Sequence, residues 1–169
     1  LLHFVILHLF SGPRRSGDLQ WHVEHQASND VGYVFVLSID ICIDARHGNM
    51  RNAAARAQLL ARCYAKQVIG VQAGPPCETW TAARDRDDGG PTAVRTGDTP
   101  WGVLTLSRKQ RLQVRTGSDL LRAALDFVQA MIITGGAAVL EHPAFPTWSA
   151  AASPASIWRL DAVKLTTEH

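Results

Sequence analysis

A chain of 169 residues with 46% hydrophobic residues is long enough for one domain with a packed core, and short for a catalytic domain plus a separate substrate domain. Its net charge of +2 is too small to identify a nucleic-acid partner by itself, although 14 of the 17 basic residues are Arg, the side chain best suited to phosphate. Three cysteines, Cys42, Cys63 and Cys77, form an odd set without CxxC spacing, which argues against a disulfide framework or zinc knuckle and for a reducing, intracellular compartment, nucleus or cytoplasm.

The chain starts at Leu inside an apolar run and stops at His169, so it reads as a piece of a longer protein. The opening LLHFVILHLF is about ten residues, broken by His3 and His8 and without a basic leader, which fits neither a signal peptide nor a membrane span. Residues 4–10, FVILHLF, instead read as a strand buried on both faces of a parallel sheet, stopped by Ser11-Gly12-Pro13. Residues 17–28 follow as a short helix with Asp18 in its first turn. A second β-rich run covers 33–44, YVFVLSIDICID, with acids only at its far end.

Residues 51–66 carry helix formers throughout, with Leu59, Leu60, Cys63 and Tyr64 as the apolar stripe. They feed a third buried strand, QVIGVQA (67–73), which ends in a Gly-Pro-Pro-Cys turn. Residues 85–107 are rich in Asp, Gly and Pro and lack periodicity, so they read as a long loop, of the kind that binds, covers a site or is disordered. SDLLRAALDFVQAMIIT (118–134) reads as a helix capped by Ser118 and ended by Gly135-Gly136. A fourth strand, AAVLE (137–141), closes at His142-Pro143, and the remainder offers at most a short helix start. Domain boundaries follow at 1–150 for the α/β domain and 151–169 for a C-terminal extension.

Alternating strands and helices imply a parallel α/β sheet, where ligands bind beyond the carboxyl ends of the strands. That rule selects residues 11–15, 40–44, 74–80 and 141–143. Cys77 stands just past a buried strand on a turn stiffened by Pro75 and Pro76, held as a nucleophile needs to be. Glu141 ends another strand at the same edge, where a carboxyl can hold or donate a proton. Asp40 ends the second strand, where nucleotide-binding α/β folds place an acid for ribose hydroxyls. The first turn is not GxGxxG, so an NAD-type fold is not supported.

HLFSG, LSIDI, GNMR, AGPPCETW and LEHP, in that order over residues 4–146, resemble the motifs of DNA cytosine-5 methyltransferases. The resemblance implies a Rossmann-like parallel-sheet three-layer sandwich of class I methyltransferase type, incomplete at the C-terminus. It implies S-adenosylmethionine as cofactor, held by Phe10 and Gly12 at the first turn, Asp40 at the ribose and Asn49 at the adenine. It implies Cys77 as the nucleophile and Glu141 as the acid on the cytosine ring, with DNA as partner and the target base flipped out of the stack. Arg84, Arg86 and Arg95, in or beside the long loop, are then expected to meet phosphate.

The chain departs from the family pattern where Arg14 and Arg15 replace glycines of the first motif and His142-Pro143 replaces Asn-Val; a downstream Q-x-R-x-R motif and a target-recognition domain are absent. These departures motivate a second reading, an inactive nucleic-acid-binding or scaffold module of a larger, mobile-element-like polyprotein. A third is a thiol hydrolase pairing Cys77 with His142. HVEH (22–25) offers two histidines three apart without a third metal ligand.

Overall fold

The computed structural model describes residues 2–26, 32–147, 149, 151 and 153–167. Its elements are β1 (Leu2–Leu9), α1 (Leu19–Gln26), β2 (Gly32–Ile39), α2 (Ala53–Tyr64), β3 (Gly70–Ala73), α3 (Arg108–Thr134), β4 (Ala137–Leu140) and α4 (Asp161–Thr167), with single 3-10 turns at Ala82–Asp85 and Ile157–Arg159. The chain divides into two compact units, Leu1–Pro75 with Ala123–Glu141, and Pro76–Arg122 with His142–His169.

The first unit is α/β. Its four strands are all parallel in the order β2-β1-β3-β4, a Rossmann-like layout. β1 is paired on both edges, and its nearly all-apolar sequence goes with buried side chains; Leu7 and Leu9 are fully buried. Leu9 lies level with Ile39 on β2 and Ala73 on β3, and Ala73 with Leu140 on β4, so all four carboxyl ends finish in one row. The chain leaves β1 for β2 on one side and returns to β3 on the other, making the β1/β3 gap the switch point where such sheets bind ligands.

The strand expected over 33–44 stops at Ile39. From Asp40 the backbone curls: the Asp40 carbonyl accepts from Ile43 and Asp44 N–H at 3.0 Å each, and the Asp44 carbonyl from Gly48 N–H at 2.8 Å. Any side chain at Gly48 would overlap the Asp40 carbonyl, so this turn needs glycine there. α2 is capped by Asn52, whose side chain accepts from Ala54 and Ala55 N–H.

α3 starts ten residues earlier than expected, and Ser118 is not its cap. The cap is Ser107, whose hydroxyl accepts from Gln110 N–H at 3.2 Å while Gln110 Oε1 accepts from Ser107 N–H at 2.9 Å, a reciprocal capping box. Ser118 lies inside the helix, buried, donating to the Val114 carbonyl at 2.8 Å. The far end follows expectation: Gly135 takes a φ of 77° and Gly136 N–H returns to the Met131 carbonyl at 2.9 Å.

In the second unit no helix or strand interrupts residues 86–107, yet that loop packs Val94, Val103 and Leu106 with Val114 of α3 in a small core. The chain beyond 151 goes further than a helix start. Ile157, Leu160 and Val163 are buried at helical spacing, and α4 runs to Thr167.

Candidate active site

At the carboxyl end of β1 the backbone turns sharply. Phe10 adopts a φ of 59°, a left-handed conformation costly for a bulky residue, while its N–H donates to the Ile39 carbonyl at 2.9 Å. Gly12 follows at a φ of 70°, with no atom within 4 Å of where a side chain would start. Its N–H donates to Asp40 Oδ2 at 3.0 Å, and Asp40 Oδ1 accepts from Cys42 N–H at 2.8 Å. Phe10, Gly12 and Asp40 are therefore one structural group. The Cys42 thiol also hydrogen-bonds the Asp40 carboxylate, which keeps a lone pair for a further donor.

The Arg14 side chain is tied to α1 and not to this turn. Arg14 Nε donates to Asp18 Oδ2 at 2.8 Å, with a longer ion pair to Glu24 at 3.5 Å. Asp18, buried, also accepts from Arg15 N–H at 3.0 Å and Trp21 N–H at 2.7 Å, which makes it the N-cap of α1. The Arg15 N–H, the Arg14 guanidinium and the Trp21 N–H hold its carboxyl far below the usual carboxylate range. Both arginine positions thus serve the start of α1.

Asn49 is half-buried, its side-chain oxygen accepting from Arg51 N–H at 3.0 Å. Beside it, Asp44 pairs with His47 at 2.8 Å; the His47 N–H, its ring and the Arg46 N–H bring the Asp44 carboxyl down to about 2. A cavity of about 800 Å³ lies along α2, lined by His47, Ala55, Leu59, Arg62 and Gln67, and includes none of Phe10, Gly12, Asp40 or Glu141.

Glu141 N–H donates to the Ala73 carbonyl at 2.8 Å, extending the β3/β4 ladder by one residue. A Cβ on Gly74 would stand 3.6 Å from Glu141 Oε2 and 3.9 Å from Glu141 Cβ, so the Glu141 side chain lies along the bare Gly74 backbone. β3 separates β4 from β1, and on β1 stands His8, level with Gln72. Burial lowers the His8 pKa, while the charges of Asp18 and Glu141 oppose that. Its Nδ1 and the Ser38 hydroxyl level with it on β2 are buried without hydrogen-bond partners. In the sequence His8 is marked only by its interruption of an apolar strand.

The second unit holds Cys77, a half-buried free thiol. Its carbonyl accepts from Trp80 N–H at 2.8 Å, closing a tight turn that buries Thr79 and Trp80. Arg84 braces this turn, donating to the Glu78 carbonyl at 2.6 Å and the Thr92 carbonyl at 3.2 Å. Arg95, expected at phosphate, is only 2% exposed. Its guanidinium donates to Thr79 Oγ1, the Pro100 and Val114 carbonyls and Ser118 Oγ at 2.6–3.2 Å, and stacks 3.8 Å over Trp80. Burial, then the charge of Arg122, brings its pKa down to about 10. Arg95 is a strut inside the unit, and the phosphate role expected of it is corrected. Arg86 is exposed.

Both ring nitrogens of His142 are buried without a hydrogen-bond partner. Burial drives the ring down to about 4 against a weaker pull from the Pro143 backbone, which lies outside hydrogen-bond geometry. No carboxylate orients this ring, as a triad would require. His25 stacks on Trp21 at 4.2 Å, its Nδ1 2.7 Å from the Trp21 carbonyl.

Of the residues singled out in the sequence, Phe10, Gly12, Asp40, Asn49 and Glu141 belong to the first unit, and Cys77, Arg84, Arg86 and Arg95 to the second. Among the described residues no group of three His, Cys, Asp or Glu could hold a metal ion, and no helix is long and apolar enough to cross a membrane. No family model, no curated protein and no solved structure matches this chain.

Proposed function

We propose that the chain carries a divergent DNA cytosine-5 methyltransferase-like domain of class I methyltransferase type. The observation that carries this reading is the bond from Gly12 N–H to the Asp40 carboxylate across the ends of β1 and β2, beside the switch point. It ties the glycine turn to the strand-end acid, with open space at Gly12 where a cofactor would approach.

S-adenosylmethionine fits that turn: Phe10 and Gly12 would border it, Asp40 has a lone pair for a ribose hydroxyl, and the Asn49 amide can serve an adenine edge. When bound, it supplies a methyl group from its sulfonium. The Cys77 thiolate adds to C6 of a flipped cytosine, and Glu141 holds a proton at N3, so that electron density gathers at C5. After C5 is methylated, its proton passes to a water, the Cys77 sulfur is expelled as thiolate and the N3 proton returns to Glu141, which restores the aromatic ring. Glu141, lying along Gly74, is held at a strand end and not on a mobile loop, as a positioned acid requires.

Calorimetric titration with S-adenosylhomocysteine tests the cofactor half. The expected result is micromolar binding, abolished in Asp40→Ala; no heat from the unaltered chain contradicts the reading.

A further inference from the structure

Residues 108–122, the part of α3 in the second unit, hold five basic side chains against one acid, Asp119, a net +4 in a chain whose total is +2. Arg108, Arg111, Arg115 and Arg122 recur at helical spacing on one face. At 1.5 Å per residue that face is about 21 Å long, about six nucleotides of a strand at 3.4 Å each. Like charges three and four residues apart repel, and a merely solvated face intersperses acids. Here Asp119 alone does so, 3.8 Å from Arg122.

An open cavity of about 410 Å³ lies against this face, walled by Trp101, Arg111, Arg115 and Arg122 over Leu106 and Val114. Trp101 is 44% exposed, with Trp80 edge-on at 5.9 Å and the Arg122 guanidinium 4.8 Å over its ring. Arg122 itself is 59% exposed, so a planar group can stack on this Trp-Arg pair. Arg111 donates to the Leu106 carbonyl at 2.7 Å, which fixes its guanidinium at the cavity wall.

We infer that this arginine face with Trp101 is a binding site for a single nucleic-acid strand, phosphates along Arg108, Arg111 and Arg115 and one unpaired base on Trp101. A row of cations selects a polyanion, and an exposed indole at its side selects one with flat rings free to stack, which a closed duplex does not offer. This site replaces Arg95 as the source of phosphate contacts. It draws on the nucleic-acid reading above for its ligand class, but on neither the cofactor turn nor Cys77.

The test is fluorescence anisotropy of a labelled single-stranded DNA of about 12 nucleotides at about 50 mM salt, without S-adenosylmethionine. Saturable binding is expected. Arg115→Gln, at an exposed position, should weaken it and flatten the slope of log affinity against log salt by about 0.7, whereas Trp101→Ala should cost about fivefold or more with the slope unchanged. Absence of binding, an unaltered slope in Arg115→Gln, or displacement by polyglutamate or the matching duplex as readily as by unlabelled strand would overturn the site. Circular dichroism of each variant confirms folding. The calorimetric titration reads the first unit's turn, so either proposal can fail while the other stands.

Discussion

Gly12 N–H donates to Asp40 Oδ2 at 3.0 Å, joining the turn after β1 to the end of β2 across 28 positions of sequence. Asp40 also holds the Cys42 N–H, so one carboxylate organises both turns. Asp40→Ala would leave two amides without their acceptor and lower unfolding stability by about 1–3 kcal/mol. Asp40→Asn, which keeps one acceptor oxygen, should fall between. Urea midpoints of the three proteins check the order.

Arg95 makes four hydrogen bonds in a buried setting without a carboxylate partner. Arg95→Ala removes every one and opens a void beside Trp80, so it should cost about 3 kcal/mol. A loss of nucleic-acid affinity in a variant of unchanged melting temperature would contradict the strut role.

Gly117 lies inside α3, where alanine normally adds about 1 kcal/mol of helix stability. A Cβ there would stand 2.8 Å from Thr79 Oγ1 and 3.3 Å from the Arg95 guanidinium, both buried. Gly117→Ala should therefore lower the melting temperature, because the clash outweighs the propensity gain. A raised melting temperature would show that α3 lies farther from the Cys77 turn.

His142 titrates near 6.5 when unfolded and near 4 in the folded chain. Between those values the unfolded state binds the extra proton, so its contribution to stability is present above about 6.5 and is lost as the pH falls towards 4. Partial exposure reduces the effect to about 1–3 kcal/mol. Urea midpoints at pH 7 and pH 4.5 should differ less in His142→Gln than in the unaltered chain. The lowered pKa of His8 acts with the same sign and is common to both proteins.

The sheet was legible because its signals are local: a strand covered on both faces reads as a near-continuous apolar run, and β1 does apart from His3 and His8. The ends of β1, β3 and β4 were legible too, marked by Gly or Pro within a few residues, whereas the apolar run to residue 44 overshot β2, which stops at Ile39. The start of α3 was misread because Thr116-Gly117-Ser118 looks like a break followed by a cap. Gly117 is there for close approach to Thr79 and Arg95, a tertiary reason that composition does not carry. The capping box Ser107-Arg-Lys-Gln110 was readable and outranks an isolated serine. Arg95 was misassigned because sequence reports charge and not burial. His8 was missed because the charges that act on it, Asp18 and Glu141, come from a helix cap and a strand end elsewhere in the chain.

The most direct test is mass spectrometry of the chain after incubation with S-adenosylmethionine and DNA containing 5-fluorocytosine, whose fluorine blocks release of the enzyme. A covalent DNA adduct at Cys77 is expected, absent in Cys77→Ser and strongly reduced in Glu141→Gln. An unaltered chain that binds S-adenosylmethionine yet forms no adduct, or forms one at another residue, would contradict the assignment of Cys77 as the nucleophile.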